Sequence, residues 1–400
     1  MRRSSTYVIV ALAAALVGGL LALLVGQLTG ITDNSTSTVY VPTSATDLGT
    51  GRGEPISHAK LLPANRFDPA RIYAARSKGV VTVFAIYDAP DDHEAQGSGF
   101  IVSGSGYILT SAHVVIDTST SKTIEARNVY VGFKDRDRIK ATLVGWDVYD
   151  DVALLKVDPS AHALAPVPLG DSSRVRAGDP VAAMGSPFGN EDSITTGVVS
   201  AIRRSIASLT SVYKVVDAIQ IDAPITHGNS GGPLFDARGR VIGINAQIRT
   251  ETGGAEGVGF AVPINAAKRS MTQLAATGRV AYAYLGVTTE DLTPTLARHL
   301  GYSTTRGAIV DEVREGGPAG KAGMRGGSGS ESFNGQSITP GGDVIVAIDG
   351  RPVQSADDVV REVATRLPGQ TISLTIVRGK ERKVLRAKLG ERPSVPETSP

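Results

Sequence analysis

The hydrophobic pattern changes character twice along the chain. Residues 7–28 form a run of 22 positions almost free of polar groups, long enough as a helix at ~1.5 Å per residue to cross a ~30 Å hydrocarbon core. The run has no polar face, which a buried core helix would show. Arg2 and Arg3 precede it and no Lys or Arg follows until Arg52, so the predicted orientation keeps the N-terminus in the cytoplasm and the rest outside. A cleaved signal peptide is the competing reading. The run exceeds the ~7–15 apolar residues usual there, and no clear small-x-small site follows, so the expectation over residues 1–30 is a cytoplasmic tail and an uncleaved transmembrane helix. Residues 31–66 are rich in Ser, Thr, Gly and Pro without periodicity, the composition of a flexible linker.

From Phe67 onward the apolar positions come in short runs. Asp68-Pro69 opens a helix predicted through Arg76, with Pro at the first helical position. Strands are predicted over residues 80–86, 99–102, 107–110, 128–131 and 141–144, then over 180–184, 195–199, 219–222, 240–244 and 258–262. Short strands at this spacing argue for β-barrels. Residues 264–276 read as a helix closing a domain over 67–279. A second domain is expected over 280–390. The Gly/Ser-rich stretch 326–341 reads as a loop, 378–388 as a solvated basic hairpin, and 391–400 as a disordered tail.

Composition narrows the chemistry. Forty-six glycines and a hydrophobic fraction of 41% suit a turn-rich, β-rich body. With 41 basic against 39 acidic residues, no attraction for nucleic acid or an anionic surface is implied. There is no cysteine, which excludes disulfides, a thiol nucleophile and a zinc–thiolate site. Asp88, Asp91, Asp92, His93 and Glu94 cluster without a recognisable metal-ligand spacing and read as a charged loop.

The candidate chemistry centres on Gly228-Asn229-Ser230-Gly231-Gly232-Pro233. Glycines around a serine permit a tight turn that exposes the hydroxyl and aims backbone N–H groups outward, as a nucleophile with an oxyanion hole requires. Gly228 and Ser230 are the candidate donors. Such a serine needs a base, and the base needs an orienting group. Of six histidines, His113 alone follows a strand-like run and enters a tight Ser-Ala-His segment. Asp151 precedes Val152-Ala153-Leu154-Leu155, where a paired carboxylate is tolerable and an unpaired one is costly. Asp147 and Asp150 are its rivals. The order His113, Asp151, Ser230 is that of the chymotrypsin-type triad.

Thr110-Ser111-Ala112-His113-Val114-Val115, Asp151-Val152-Ala153-Leu154-Leu155 and Gly228-Asn229-Ser230-Gly231-Gly232-Pro233-Leu234 together resemble the HtrA (high-temperature-requirement A, Deg) family of serine proteases. Tyr284-Leu285-Gly286-Val287 resembles the carboxylate-binding loop of a PDZ domain, and residues 307–310, 342–350 and 355–366 fit later strands and the helix of that fold. The resemblance implies a mainly β chain: a chymotrypsin-like double β-barrel followed by an α+β PDZ domain, with the triad in the cleft between barrels. It places Asp151 on the family's Asp-x-Ala-Leu pattern. It also implies a substrate strand along Asn245, Ala246, Gln247 and Ile248, with Ile248 walling a pocket for small or medium aliphatic side chains and 249–256 as its rim. No cofactor and no metal are implied. Trimers are, with Phe67 or Tyr73 as candidate contacts. The chain departs from the usual pattern at Thr226 and His227, and at Ser186 in Ser186-Pro187-Phe188-Gly189, which resembles a loop that orders the active site.

The expected function is an ATP-independent, membrane-tethered serine endopeptidase that removes misfolded or damaged extracytoplasmic proteins, its PDZ domain binding peptide C-termini. Two alternatives stay open: a site-specific protease acting on one membrane signalling partner, and a catalytically idle peptide-binding or chaperone-like scaffold.

Overall fold

A computed structural model describes residues 67–88, 94–118, 123–186, 193–206, 208, 210–211, 213–225, 228–246 and 258–393, all in one structural unit that begins at Asn65. The expected anchor and linker lie outside these residues. Among the described residues no helix is long and apolar enough to cross a membrane.

Helix α1 (Pro69–Arg76) is capped by the Asp68 carboxylate, which accepts the N–H of Arg71. It leads into β1 (Val80–Ile86), β2 (Glu94–Ile101), β3 (Tyr107–Thr110), the one-turn helix α2 (Ala112–Val115), β4 (Asn128–Gly132), β5 (Arg138–Asp147) and β6 (Val152–Val157). The six strands close a barrel in the order β1-β2-β3-β6-β5-β4. A second barrel is built from β7 (Pro180–Gly185), β8 (Ser193–Ile206), β9 (Val215–Ile221), β10 (Pro233–Asp236), β11 (Val241–Ala246) and β12 (Gly259–Pro263), closed in the order β8-β9-β12-β11-β10-β7.

Alternation along the strands explains why two barrels form and why they adhere. In β6, Ala153 and Leu155 fill the first barrel while Val152 and Leu154 join a cluster with Phe100 and Leu109. The second barrel sends Ala182, Met184, Phe235, Ile244 and Val262 into that same cluster and keeps Val181, Ala183, Ile221 and Leu234 for its own interior. Strands buried on both faces read as unbroken apolar runs rather than alternating ones. Helix α3 (Ile264–Thr277) adds Ile264, Ala267 and Leu274 to the shared cluster and stops at Gly278, φ +72°.

The second domain follows with β13 (Ala283–Tyr284), β14 (Val287–Leu292), α4 (Pro294–Leu300), β15 (Gly307–Val313), β16 (Glu331–Phe333), β17 (Gln336–Ile338), β18 (Val344–Ile348), α5 (Ala356–Ala364), β19 (Thr371–Arg378), β20 (Glu381–Lys388) and β21 (Gly390–Glu391). Its main sheet runs β14-β15-β18-β19-β20, with Arg351–Pro352 paired beside β18. Helix α5 is held by a capping box between Ser355 and Asp358 and buries Val359 and Val363.

Three features differ from the sequence expectation. The stretch 326–341 contains the hairpin β16–β17, whose Phe333 stacks on His299 with ring centroids 4.4 Å apart. Helix α4 was not signalled. The end of the chain does not leave the fold at 391: β21 pairs with β13, Ala283 opposite Glu391.

Candidate active site

Strand β3 ends at Thr110, and Ser111, in extended conformation at φ −77°, ψ 144°, turns the chain into α2 and so presents His113. Asp151 sits at the turn between β5 and β6 with φ +52°, a conformation that aspartate tolerates better than most residues. The turn is folded by Asp147, whose Oδ1 accepts the N–H groups of Tyr149 at 2.9 Å and Asp150 at 3.3 Å.

Asp151 grips α2 with three acceptors. Its carbonyl takes the N–H of Ala112 at 3.2 Å, Oδ1 takes the N–H of His113 at 2.9 Å, and Oδ2 lies 2.7 Å from His113 Nδ1. A proton on Nδ1 facing the carboxylate leaves Nε2 as the basic nitrogen. The Asp151 side chain is 5% exposed and that of His113 21%, so water screens the pair weakly. Burial works against the imidazolium, but the charge of Asp151 and its hydrogen bond outweigh it and raise the His113 pKa above the ordinary 6.5.

The loop of the candidate nucleophile, Ser230, is wedged against this assembly. Gly228 has φ +105° and Gly231 φ +83°. A Cβ on Gly231 would lie 2.3 Å from the carbonyl oxygen of Ser98 and 2.9 Å from the N–H nitrogen of Ser111, so only glycine lets Ser230 approach the segment that carries His113. Ser230 is buried and its Oγ has no hydrogen-bond partner. Its carbonyl accepts the N–H of Ser98 at 2.8 Å.

Ser98 does more than this. Its hydroxyl donates to the Gly228 carbonyl and accepts the N–H of Ser186 at 2.8 Å. The Ser186 hydroxyl in turn lies 2.7 Å from that of Thr82. A buried chain of hydroxyls thus runs from the first barrel through Ser186 and Ser98 to the loop that carries Gly228 and Ser230. Sequence reasoning missed Ser98, although Gly97-Ser98-Gly99 repeats the glycine-flanked serine that marked the nucleophile.

Of the three candidate acids, Asp151 is the one bonded to His113. Asp147 and Asp150 instead lie 2.5 and 2.7 Å from Tyr282 Oη, and Asp147 also takes the Ser270 hydroxyl at 2.6 Å. Burial, then the charge of Asp150, pushes the Asp147 carboxyl up to about 6, against the Ser270 and Tyr282 hydrogen bonds. Burial raises Asp150 as well.

The expected substrate strand is placed only in part. Asn245 is wholly buried in β11, its carbonyl and N–H bonded to Gly231 and Gly232 at 2.9 and 2.8 Å. Its amide donates to the carbonyls of Met184 and Pro233 at 3.2 and 3.3 Å. Asn245 therefore braces the nucleophile loop from beneath, where the sequence placed it against substrate. Ala246 is buried beside it, paired with Phe260. Gln247, Ile248, the rim 249–256, Thr226, His227, Pro187, Phe188, Gly189, Asp91, Asp92 and His93 lie outside the described residues. Asp88 pairs with Arg127 at 2.9 Å. Phe67 and Tyr73 pack partly buried against the cluster between the barrels.

In the second domain Tyr284 ends β13, Gly286 turns the chain at φ +78°, and Val287 begins β14. With Leu285 they line one end of an apolar groove walled by Val359 and Val363 of α5.

Comparison with known proteins agrees with this layout. Residues 97–244 match the trypsin-like peptidase domain and residues 283–389 match the PDZ domain. A probable periplasmic serine endoprotease DegP-like of Pseudomonas fulva is 41% identical over 303 residues, covering 75% of this chain and 57% of its own length. That of Brucella suis is 37% identical over 300 residues, covering 75% and 53%. The chain thus spans little more than half the length of these curated relatives. Among solved structures, an HtrA-type protease AlgW with tripeptide superposes with a TM-score of 0.66 at 35% identity, over 82% of this chain and 98% of that one. The serine endoprotease from Yersinia pestis gives 0.57 at 28% identity, over 83% and 100%.

Proposed function

Because the chain belongs to the HtrA family of serine proteases, with one trypsin-like peptidase domain and one PDZ domain, we propose that it is an ATP-independent serine endopeptidase acting on misfolded or damaged extracytoplasmic proteins. The observation that carries this reading is the triple grip of Asp151 on the His113 turn beside a glycine-cradled serine. Ser230 Oγ attacks the scissile carbonyl as His113 Nε2 takes its proton. Asp151 fixes the tautomer and stabilises the imidazolium that forms. The oxygen that gains negative charge is held by the N–H groups of Gly228 and Ser230, each such donor being worth on the order of 10²–10³ in rate. The imidazolium then protonates the leaving amine, and water, activated by the same His113, releases the acyl group. The unpaired Ser230 hydroxyl fits a resting site whose last hydrogen bond tightens when substrate arrives.

By family resemblance substrate adds as an extended strand along Asn245, Ala246, Gln247 and Ile248, and main-chain pairing of that kind accounts for tolerance of varied sequences. The apolar groove at Tyr284, Leu285, Gly286 and Val287 takes peptide C-termini. Residues 7–28 anchor the chain in the membrane with both folded domains outside the cytoplasm, which agrees with the periplasmic naming of the relatives. By family resemblance it assembles as a trimer through Phe67 or Tyr73.

The test incubates the chain with an unfolded protein beside a Ser230→Ala variant, and labels both with a serine-directed phosphonofluoridate. Cleavage and labelling in the parent, and neither in the variant, are expected. Equal, negligible cleavage by both with peptide binding retained would overturn the reading in favour of a scaffold.

A further inference from the structure

The end of the described chain returns to the first domain. The N–H of Arg392 donates to the Tyr282 carbonyl and the Tyr149 hydroxyl to the Pro393 carbonyl, each at 2.8 Å. This return sets the Arg392 guanidinium against three tyrosine rings, 5.0 Å from Tyr149, 5.0 Å from Tyr213 and 5.2 Å from Tyr282. Aromatic faces attract a cation, but they do not supply the acceptors that its five N–H groups require. Arg392 Nε is buried without a partner, and no described carboxylate forms an ion pair with the group. Glu391 is engaged by Arg279. Asp150 feels the Arg392 charge but is already bonded to Tyr282. A guanidinium partly withdrawn from water, with no ion-pair partner among the described carboxylates, is a seat for an anion.

The cleft that Arg392 lines identifies the anion. Arg392 lines the same cleft, about 240 Å³, as Tyr284, Leu285, Gly286 and Val287. The walls are apolar, through Leu285, Val287, Val359 and Val363, and the charged groups at the margin are Lys214 and Asp357. A cleft this small with a cation among apolar walls fits a chain end: one apolar side chain and a terminal carboxylate. We propose that Arg392, held in its tyrosine cage, is the counter-ion for the C-terminal carboxylate of a peptide bound in this groove. The inference rests on the reading of the groove as a peptide site and adds to it a residue beyond the Tyr284–Val287 turn and outside the second domain's main sheet.

The experiment uses the full chain carrying Ser230→Ala, so that peptides survive, and fluorescein-labelled peptides ending in Val, Leu or Phe, each as free acid and as C-terminal amide. Anisotropy is expected to show the acids bound about tenfold or more tighter than the amides. Adding Arg392→Gln removes most of that preference and leaves amide binding unchanged, whereas Arg392→Lys keeps much of it. Equal weakening of acid and amide by Arg392→Gln, or an undiminished preference, overturns the proposal. Failure of the parent to bind any of the peptides overturns the reading of the groove itself, and is distinguishable because no Arg392 variant is then involved. Should Arg392→Gln not fold, the Nε–H resonance of Arg392 in the parent decides: it shifts with the acid and not with the amide, and a resonance indifferent to both refutes the assignment.

Discussion

One hydroxyl, Ser98 Oγ, ties the Gly228 carbonyl to the Ser186 N–H, so the loop bearing both proposed oxyanion donors is held by a fully buried residue. Ser98→Ala deletes both bonds and leaves the Ser98 N–H on Ser230. A buried carbonyl and N–H left unpaired cost about 1–3 kcal/mol of stability. A loop free to turn its donors away should lower kcat by about 10–100-fold while KM for a short peptide holds. Urea denaturation and steady-state kinetics check the two halves, and an unchanged kcat would refute the positioning role. His113 gives a second prediction. Its raised pKa means that the neutral base is gained late, so kcat/KM should climb with pH through an inflection above 6.5. Asp151→Asn removes the charge that offsets burial and should move that inflection down, with a rate loss on the order of 10⁴. For stability the sign is opposite: an imidazolium favoured by folding contributes fully below 6.5, and the contribution is lost as pH rises through the folded value. The pairing of His113 with Asp151 was legible because imidazole and carboxylate can be supplied by few residue types. Ser98 was not, because it acts on backbone groups that every sequence possesses, and Asn245 was misplaced because a strand's order does not say which of its residues face inward.

The turn between β5 and β6 carries Asp151, and its other acids bind it to the segment joining the domains. Tyr282 Oη lies 2.5 Å from Asp147 Oδ2 and 2.7 Å from Asp150 Oδ2. A phenol has one proton, so two such contacts require a second proton, and that proton belongs to a carboxyl. The rise of Asp147 to about 6 by burial agrees with the count. Folding therefore takes up a proton that the unfolded chain, with an ordinary value of 3.8, has released. The contribution is fully present below 3.8 and lost as pH rises to about 6, beyond which it is flat. The stabilisation lost on Asp147→Asn, taken as the difference in melting temperature between parent and variant by calorimetry, should accordingly shrink as pH rises across this window. A difference that grows or stays level there would contradict the shared proton. Asp150 belongs to the same unit, and the pH profile reports on the pair rather than on either acid. Elements were legible where one face is wet: Glu381–Lys388 alternates charged and half-buried positions and reads at once as a hairpin strand. Strands β6 and β10, buried on both faces, were not assigned from sequence although the equally buried β7 and β11 were. Each begins directly on a motif, Asp151-Val152 and Gly232-Pro233, and was read as chemistry rather than as a strand.

At the scale of the molecule, the barrels share one apolar cluster whereas the PDZ domain keeps its own. A trypsin-like peptidase domain followed by a PDZ domain was legible from the two sets of short strands and from the resemblance at Tyr284-Leu285-Gly286-Val287. What joins them was not: Arg361 of α5 meets Asp217 of β9 at 2.6 Å across 144 residues of sequence, and no periodicity announces such a pair. Side chains 23% and 32% exposed make it stronger than a surface ion pair, whose worth is about 0–1 kcal/mol. Burial opposes the Arg361 charge, yet Asp217 and Asp358 together raise its pKa. Arg361 also bonds Asp358, the acid of the α5 capping box, so replacing the arginine would injure the helix as well as the contact. Asp217→Asn is the cleaner variant. Asparagine tolerates φ +63° as well as aspartate does, keeps the shape and removes only the charge that spans the domains. With a common cluster the barrels should unfold together, and in the parent the PDZ domain, tied through Asp217, Tyr282 and Arg392, should unfold with them in a single endotherm. Asp217→Asn should lower the PDZ transition and draw it out as a shoulder, leaving the barrel transition in place. A single endotherm shifted as a whole would mean that Tyr282 and the Arg392 cage hold the domains without help from this pair; combining Asp217→Asn with Tyr282→Phe should then bring out the separate transition that the single change did not.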